Sequence, residues 1–170
     1  MPATCPLTQS YTPKDCLSTA GVRSYIITPF ANMLTSTVTA NVVTAITKTA
    51  TFKQYKQQPE TATFSYTGDG TTANGTYAYD WEATFKTYGT ELLDQVELEL
   101  LMKNRLIIIA ELEDGTYWML GRDYGSNAIN DKFEAGTTFN SFIGSTVVVK
   151  GRSKTKFLQV NQAIIAGLLT

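Results

Sequence analysis

The feature that most constrains this chain is the run Leu106-Ile107-Ile108-Ile109 followed five residues later by Asp114-Gly115. Four consecutive branched aliphatics cannot be half-exposed on a strand whose faces alternate, so the strand needs cover on both sides. Asp-Gly between two apolar runs is a hairpin signal, because both residues tolerate the positive φ of a two-residue turn. The sequence therefore predicts a strand over 105–113, a turn at Asp114-Gly115 and a return strand over 116–122. A two-residue turn sets Leu112 opposite Tyr117, Ala110 opposite Met119 and Ile109 opposite Leu120.

Residues 90–104 lead straight into this hairpin and read as a helix. Thr90 offers an N-cap hydroxyl, and Glu91 and Asp94 fall at the positive end of the dipole. Glu99 and Lys103 are four apart with the acid first, the better order for an ion pair. Leu92, Leu93, Val96 and Leu100 form an apolar stripe of helical period, the expected buried face. A strand over 96–100 is the rival reading, since Val96, Leu98 and Leu100 also alternate.

Around this centre the chain reads as β-rich. Residues 1–20, with Pro2, Pro6 and Pro13, read as an extended arm anchored by Leu7, Tyr11 and Leu17, draped over its own domain or laid on a neighbour. Residues 21–170 read as a single β-rich domain. Gly21 to Thr28 is a strand closed by Pro29. Residues 30–51 are rich in Thr, Ala and Val, which favours strand, with part of the segment open to a mobile-loop reading. Within 51–88, Phe64-Ser65-Tyr66 and Tyr77 to Trp81 flank a Gly/Asn/Thr segment, predicting a hairpin extension with a long tip. Residues 123–131 read as a solvated loop whose oxygens also suggest calcium, though the spacing of a calcium-binding helix-loop-helix is not met. Residues 145–149 and 157–160 read as strands. The uncharged tail Ala163 to Thr170 is either core or a subunit contact, because exposed on a monomer it would be a liability.

Lys150, Arg152, Lys154 and Lys156 fall at every second position. If extended, they form a basic strip for a phosphate backbone or an acidic neighbour. The alternative is a solvated turn at Gly151-Arg152-Ser153 whose lysines guard a sheet edge.

Composition narrows the chemistry. The chain has 170 residues, a formal net charge of −1, two cysteines and no histidine. Without histidine, Ser-His-Asp and Cys-His nucleophilic systems and the commonest general base are excluded. The carboxylate pairs Asp80/Glu82 and Glu111/Glu113 sit on strands near turns, where solvated acids are ordinary, and the expectation is a chain that is not an enzyme. Cys5 and Cys16 lack metal-site spacing and stand as free thiols or one disulfide. No cofactor is expected. No apolar run approaches the ~20 residues of a membrane helix, so no membrane insertion is expected. The N-terminus has neither the basic segment nor the apolar core of a signal peptide, so synthesis and folding in a cytoplasm are expected. Near-neutral charge gives no global reason for nucleic-acid affinity.

Two groups of residues resemble bacteriophage tail-tube proteins. One is Asp15-Cys16, Gly21-Val22 and the strand Tyr25-Ile26-Ile27. The other is Asn104 to Ile109, Asp114-Gly115, Trp118-Met119-Leu120-Gly121, Gly125 and Gly136-Thr137 before a closing strand. Together they cover about half the chain, and they also occur in related ring-forming connector and terminator subunits. The resemblance implies a mainly-β sandwich or half-open barrel with one flanking helix. It also implies rings, typically of six subunits, that stack into a conduit for DNA in a virion tail. The implied partners are other copies of the chain, other tail or connector proteins, and passing DNA contacted non-specifically. Candidate subunit contacts are Leu7, Tyr11 and Leu17 in the arm, Thr67, Asp69 and Asn74 at the hairpin tip, and Ile164, Ile165, Leu168 and Leu169 in the tail. The lumen is expected to carry acidic or hydroxyl side chains. A more distant alternative is a carbohydrate-binding β-sandwich, with Tyr66, Tyr77, Tyr79 and Trp81 as an aromatic platform.

Overall fold

The structure, a computed structural model, describes residues 10–11, 19–71, 73 and 75–170. Along the chain run β1 (Val22–Pro29), β2 (Met33–Thr39), β3 (Val42–Lys48), β4 (Lys53–Lys56), β5 (Thr63–Thr71) and β6 (Thr76–Tyr88). Then follow α1 (Leu92–Lys103), β7 (Arg105–Leu112), β8 (Tyr117–Leu120), β9 (Ser126–Glu134), β10 (Gly144–Ser153), β11 (Leu158–Val160) and α2 (Gln162–Leu169). The fold is mainly β.

β7 is the hub. On one edge it pairs antiparallel with β1, with Tyr25 opposite Ala110, Ile26 opposite Ile109 and Ile27 opposite Ile108. Its other edge is shared by β8, from Ile108 to Glu111, and β9, at Arg105 and Leu106. Leu106 through Ala110 are all fully buried, as the apolar run required. Alternation along β1 and β7 divides their side chains between two cores. Tyr25, Ile27, Leu106, Ile108 and Ala110 enter one, together with Trp81, Ala83, Phe85, Val147 and Val149 from β6 and β10. Ile26, Ile107 and Ile109 enter the other, with Val43, Tyr117, Met119 and Val160. The full strand order is β2-β3-β11-β8-β7-β9-β10-β6-β5, with β1 and β4 branching from β7. The sheet does not close into a barrel; β2 and β5 are its two ends.

Each core is capped by a helix, where one flanking helix was expected. α1 covers the first through Leu98 and Leu101. Its cap and its buried face both differ from the sequence reading. The N-cap is Glu91, with no side-chain cap bond, so Thr90 does not cap it. Leu92, Leu93, Val96 and Leu100 are exposed. Counting apolar residues favoured that stripe. The tight connection through Asn104 into β7 fixes the rotation of the helix instead. It turns the flank of Glu97, Leu98 and Leu101 inward, where Tyr55 Oη donates to Glu97 Oε1 at 3.0 Å. Burial and the Glu97 carboxylate both push the Tyr55 phenol's pKa up.

α2 caps the second core and was not expected as a helix. The Asn161 side chain accepts from Ala163 N at 3.0 Å, a sound N-cap. Ile165 and Leu168, expected as core or subunit contact, are buried within the chain's own core; Ile164 and Leu169 pack half-buried against it. Lys48 Nζ donates to Leu168 O at 2.9 Å, a cation at the negative end of the helix.

The central hairpin lies one residue from the expected register. Glu111 faces Tyr117, Ala110 faces Trp118, Ile109 faces Met119 and Ile108 faces Leu120. Leu112 N donates to Thr116 O, which leaves three residues, Glu113-Asp114-Gly115, in the loop. Gly115 has φ +80 and Asp114 is not in the left-handed region. Asp114 instead accepts from Thr116 N at 2.9 Å. This is the three-residue solution, with one left-handed glycine in place of two positive-φ residues. The two-residue form occurs at Ala40-Asn41, both at positive φ, between Thr39 and its partner Val42. Residues 33–48 are thus a strand pair and not a loop. Residues 126–131, expected as part of a loop, belong to β9, which pairs with β10.

Two glycine substitutions separate backbone from steric demand. A Cβ at Gly115 meets no atom within 4 Å, so the cost expected of Gly115→Val is that of the strained φ, about 1–3 kcal/mol. A Cβ on Gly151 would lie 2.4 Å from the Trp81 ring. Gly151→Ala should therefore cost about 1–3 kcal/mol by overpacking and shift tryptophan emission. Urea unfolding monitored by fluorescence checks both; an unchanged midpoint in either variant refutes the corresponding account.

Candidate assembly surfaces

Three strands, β2, β4 and β5, have a neighbour on one edge only among the described residues. Unpaired edges invite foreign strands, and proteins guard them with bulges, short length or lysine. β4 has four residues and a lysine at each end, Lys53 and Lys56. β2 has register irregularities between Met33 and Thr35 and between Thr37 and Val38. β5 has neither device. Its nine residues pair with β6 without a break, from Thr63 opposite Thr84 to Thr71 opposite Thr76. It contains no Lys, Arg or Pro, and Asp69 is its one charge. The segment expected as a flexible tip is thus mostly strand. Thr67 and Asp69 are exposed on it, and Asn74 lies outside the described residues.

The outer face of β5, β6, β10 and β9 carries the expected basic strip in altered form. β10 continues through Gly151-Arg152-Ser153, so no turn lies there. Only Lys150 and Arg152 project from the strand, and β6 sets an acid opposite each. Lys150 Nζ lies 2.7 Å from Glu82 Oε2. Arg152 donates to both Asp80 oxygens, at 2.6 and 3.0 Å. Those hydrogen bonds and the guanidinium charge hold the Asp80 carboxyl below its usual range and raise Arg152. Lys154 and Lys156 leave the strand and lie over the rings of Tyr124 and Phe157, 5.4 and 5.7 Å from the centroids. The acidic neighbour of the strip is the chain's own β6. A groove of about 570 Å³ runs over this face, lined by Ser65, Thr67, Asn127 and the two ion pairs among others.

The aromatic residues pack inward. Trp81 is buried, Tyr66 stacks on Tyr79 at 5.2 Å, and Phe157 meets Tyr66 and Trp118 edge-on at 4.8 and 4.7 Å. Of the proposed sugar platform, Tyr77 alone is exposed.

A polar cluster that the sequence did not signal surrounds Glu111, which is buried. Ser24 Oγ donates to its Oε2 at 2.5 Å and Tyr117 Oη to its Oε1 at 3.1 Å. Gln54 Nε2 reaches Ser24 Oγ at 3.1 Å. Arg23 lies 3.9 Å away. Burial, then the carboxylate, raise the Tyr117 phenol. Both carboxylate oxygens are engaged, the condition for burying a charge on the hub strand. Glu113, the other member of that carboxylate pair, is held through its backbone, whose N donates to Gly21 O at 3.1 Å.

The largest unexplained apolar feature is the outward face of α1. Leu92 and Leu93 are 77% and 79% exposed, and Val96 and Leu100 about half. Leu93, Val96 and Leu100 are spaced i, i+3, i+7, the spacing of a helix-packing seam. Gly89 N donates to Ile143 O at 3.1 Å, which ties the segment before α1 to the 135–143 connection, where Phe139 and Ile143 are also exposed. Of the arm's anchors, Tyr11 is exposed; Leu7 and Leu17, like Cys5 and Cys16, lie outside the described residues.

Among the described residues, no helix is long and apolar enough to cross a membrane and no cluster of three or more His, Cys, Asp or Glu could hold a metal. Compared with known proteins, the chain matches no family model, no curated protein and no solved structure.

The two faces of α1 make opposite predictions. The double substitution of Leu93→Glu and Leu100→Glu should change monomer stability by no more than about 0.5 kcal/mol per site. Leu101→Ala should cost about 2–5 kcal/mol. Chemical denaturation at low protein concentration reads both, and equal losses would mean that the helix is turned the other way.

Proposed function

We propose that the chain is a structural subunit that associates with copies of itself into rings, and most specifically a bacteriophage tail-tube subunit whose rings stack into a conduit for DNA. The observation that carries the reading is the long edge of β5, which has no partner strand among the described residues, at one end of an open sheet whose other end is β2. Joining β5 of one copy to β2 of the next is a head-to-tail contact, which generates a ring when the rotation closes. The leucine face of α1 supplies apolar area that such an assembly would cover.

Two further features support the virion reading. The resemblance described above supplies the sixfold expectation and the partners, which are other tail or connector proteins. The outer face of β5, β6, β10 and β9 presents hydroxyls and charges already neutralised within the chain. Such a surface holds phosphates weakly, which suits DNA that must slide. On this reading the chain binds no cofactor, performs no catalysis and resides in the virion.

Negative-stain electron microscopy across a concentration series tests it. Rings with a central hole or stacked tubes are expected. Single rings that never stack would indicate a connector or terminator role. A protein that stays monomeric at every concentration, alone and with isolated tails, would refute the reading. The Leu93→Glu, Leu100→Glu variant should remain folded and assemble at least tenfold less readily.

A further inference from the structure

Tyr66 and Trp81 are cross-strand partners in the β5–β6 hairpin. Their polar atoms, Tyr66 Oη and Trp81 Nε1, are buried and find no hydrogen-bond partner among the described residues. Both side chains line one small cavity of about 20 Å³. Met119 and Leu120 of β8 form part of its wall, and Arg122, Asp123 and the connection from Ser153 to Phe157 line the rest. Phe157 packs edge-on against Tyr66, and Gly151 leaves the space that the indole fills.

The ligand follows from size and chemistry. A buried indole N–H and a buried phenol left without a partner would each cost about 1–3 kcal/mol. A cavity must offer at least about 10–15 Å³ to hold a water, and the water needs two to four polar partners. At about 20 Å³ this cavity has room for one molecule of that size. Of the two buried polar atoms, Trp81 Nε1–H is an obligate donor and Tyr66 Oη both donates and accepts. Ser153 and Thr155 also line it. Ser153 Oγ donates to Thr155 O at 2.7 Å, which leaves its own lone pairs free to accept.

We propose that this cavity is a binding site for a single structural water that accepts from Trp81 Nε1 and bridges it to Tyr66 Oη and the Ser153–Thr155 connection. The water joins the β5–β6 hairpin to the segment that carries the chain from β10 into β11. It ties the root of the β5 edge to the rest of the sheet without a direct side-chain bond. The inference is independent of the assembly proposal.

Tyr66→Phe distinguishes a bridged pair from an orphaned one, because the sign of its effect differs. Removing one end of a water bridge strands the other end, and the melting temperature should fall by about 2–4 °C. Removing a hydroxyl with no partner leaves the melting temperature unchanged or raises it, and that result would overturn the proposal. The indole N–H resonance of Trp81, assigned through Trp81→Phe, should exchange slowly and show a cross-relaxation peak to a long-lived water in the wild-type protein. Its absence in the folded wild type would also overturn the proposal. A crystal structure showing the cavity occupied by a side chain, or the indole bonded to protein, would do the same.

Discussion

Burial of β7 on both faces is the constraint from which the rest of the architecture follows. A strand with Leu106, Ile107, Ile108, Ile109 and Ala110 in succession cannot lie at the boundary of a single core. It needs two cores and a partner along each edge. β1 supplies one edge, with its own Tyr25-Ile26-Ile27 run, and β8 and β9 divide the other. Each core then needs a lid, and the two helices provide them. Even the buried Glu111 is explained from this hub. A carboxylate placed on it is tolerable only with its oxygens engaged, and Ser24 and Tyr117 come from the neighbouring strands on either edge to engage them.

What was legible in the sequence were features enforced by local chemistry. The aliphatic run, the strand closed by Pro29, the hairpin around Asp114-Gly115 and the β5–β6 extension all left signals in residue type and spacing. The misreadings have two physical causes: a local motif that fits more than one form, or a deciding partner distant in sequence. The register at Asp114-Gly115 depends on whether the loop holds two residues or three, and both forms accept Asp-Gly. The face that α1 buries is fixed by its junction with β7 and by Tyr55, neither of which a stripe of leucines can report. The tail became a helix because a groove beside β3 awaits Ile165 and Leu168. The basic positions at 150 and 152 looked unpaired because their acids, Glu82 and Asp80, lie some seventy residues earlier, brought opposite only by the β6–β10 register. The candidate assembly site was partly legible: the 51–88 extension was expected, but the guarded or unguarded state of an edge appears only with the strand order.

The charges show a consistent economy. The strongest pairings are either surface ladders between adjacent strands, as at Lys150–Glu82 and Arg152–Asp80, or the i, i+4 pair of Glu99 and Lys103 on α1. Exposed pairs of this kind add little to stability. Their physical effect is to quiet the field of the surface they occupy. A face carrying several cations becomes one with little net attraction for polyanions, while its hydroxyls and paired charges keep it hydrated.

The distribution of protection around the molecule argues for where a neighbour belongs. The fold spends bulges on β2 and brevity plus lysine on β4, yet leaves β5 plain along nine residues. It also places Leu92, Leu93, Val96 and Leu100 on the outside of a helix that needs only Leu98 and Leu101 for its own core. Neither feature assists the isolated chain: the first is an aggregation hazard and the second exposes apolar area to water. Both become stabilising once another surface meets them. The bulges of β2 also admit only a partner that follows their local twist. Pairing of β5 with a different edge, in place of a second β5, is what turns a contact into a ring instead of a closed dimer.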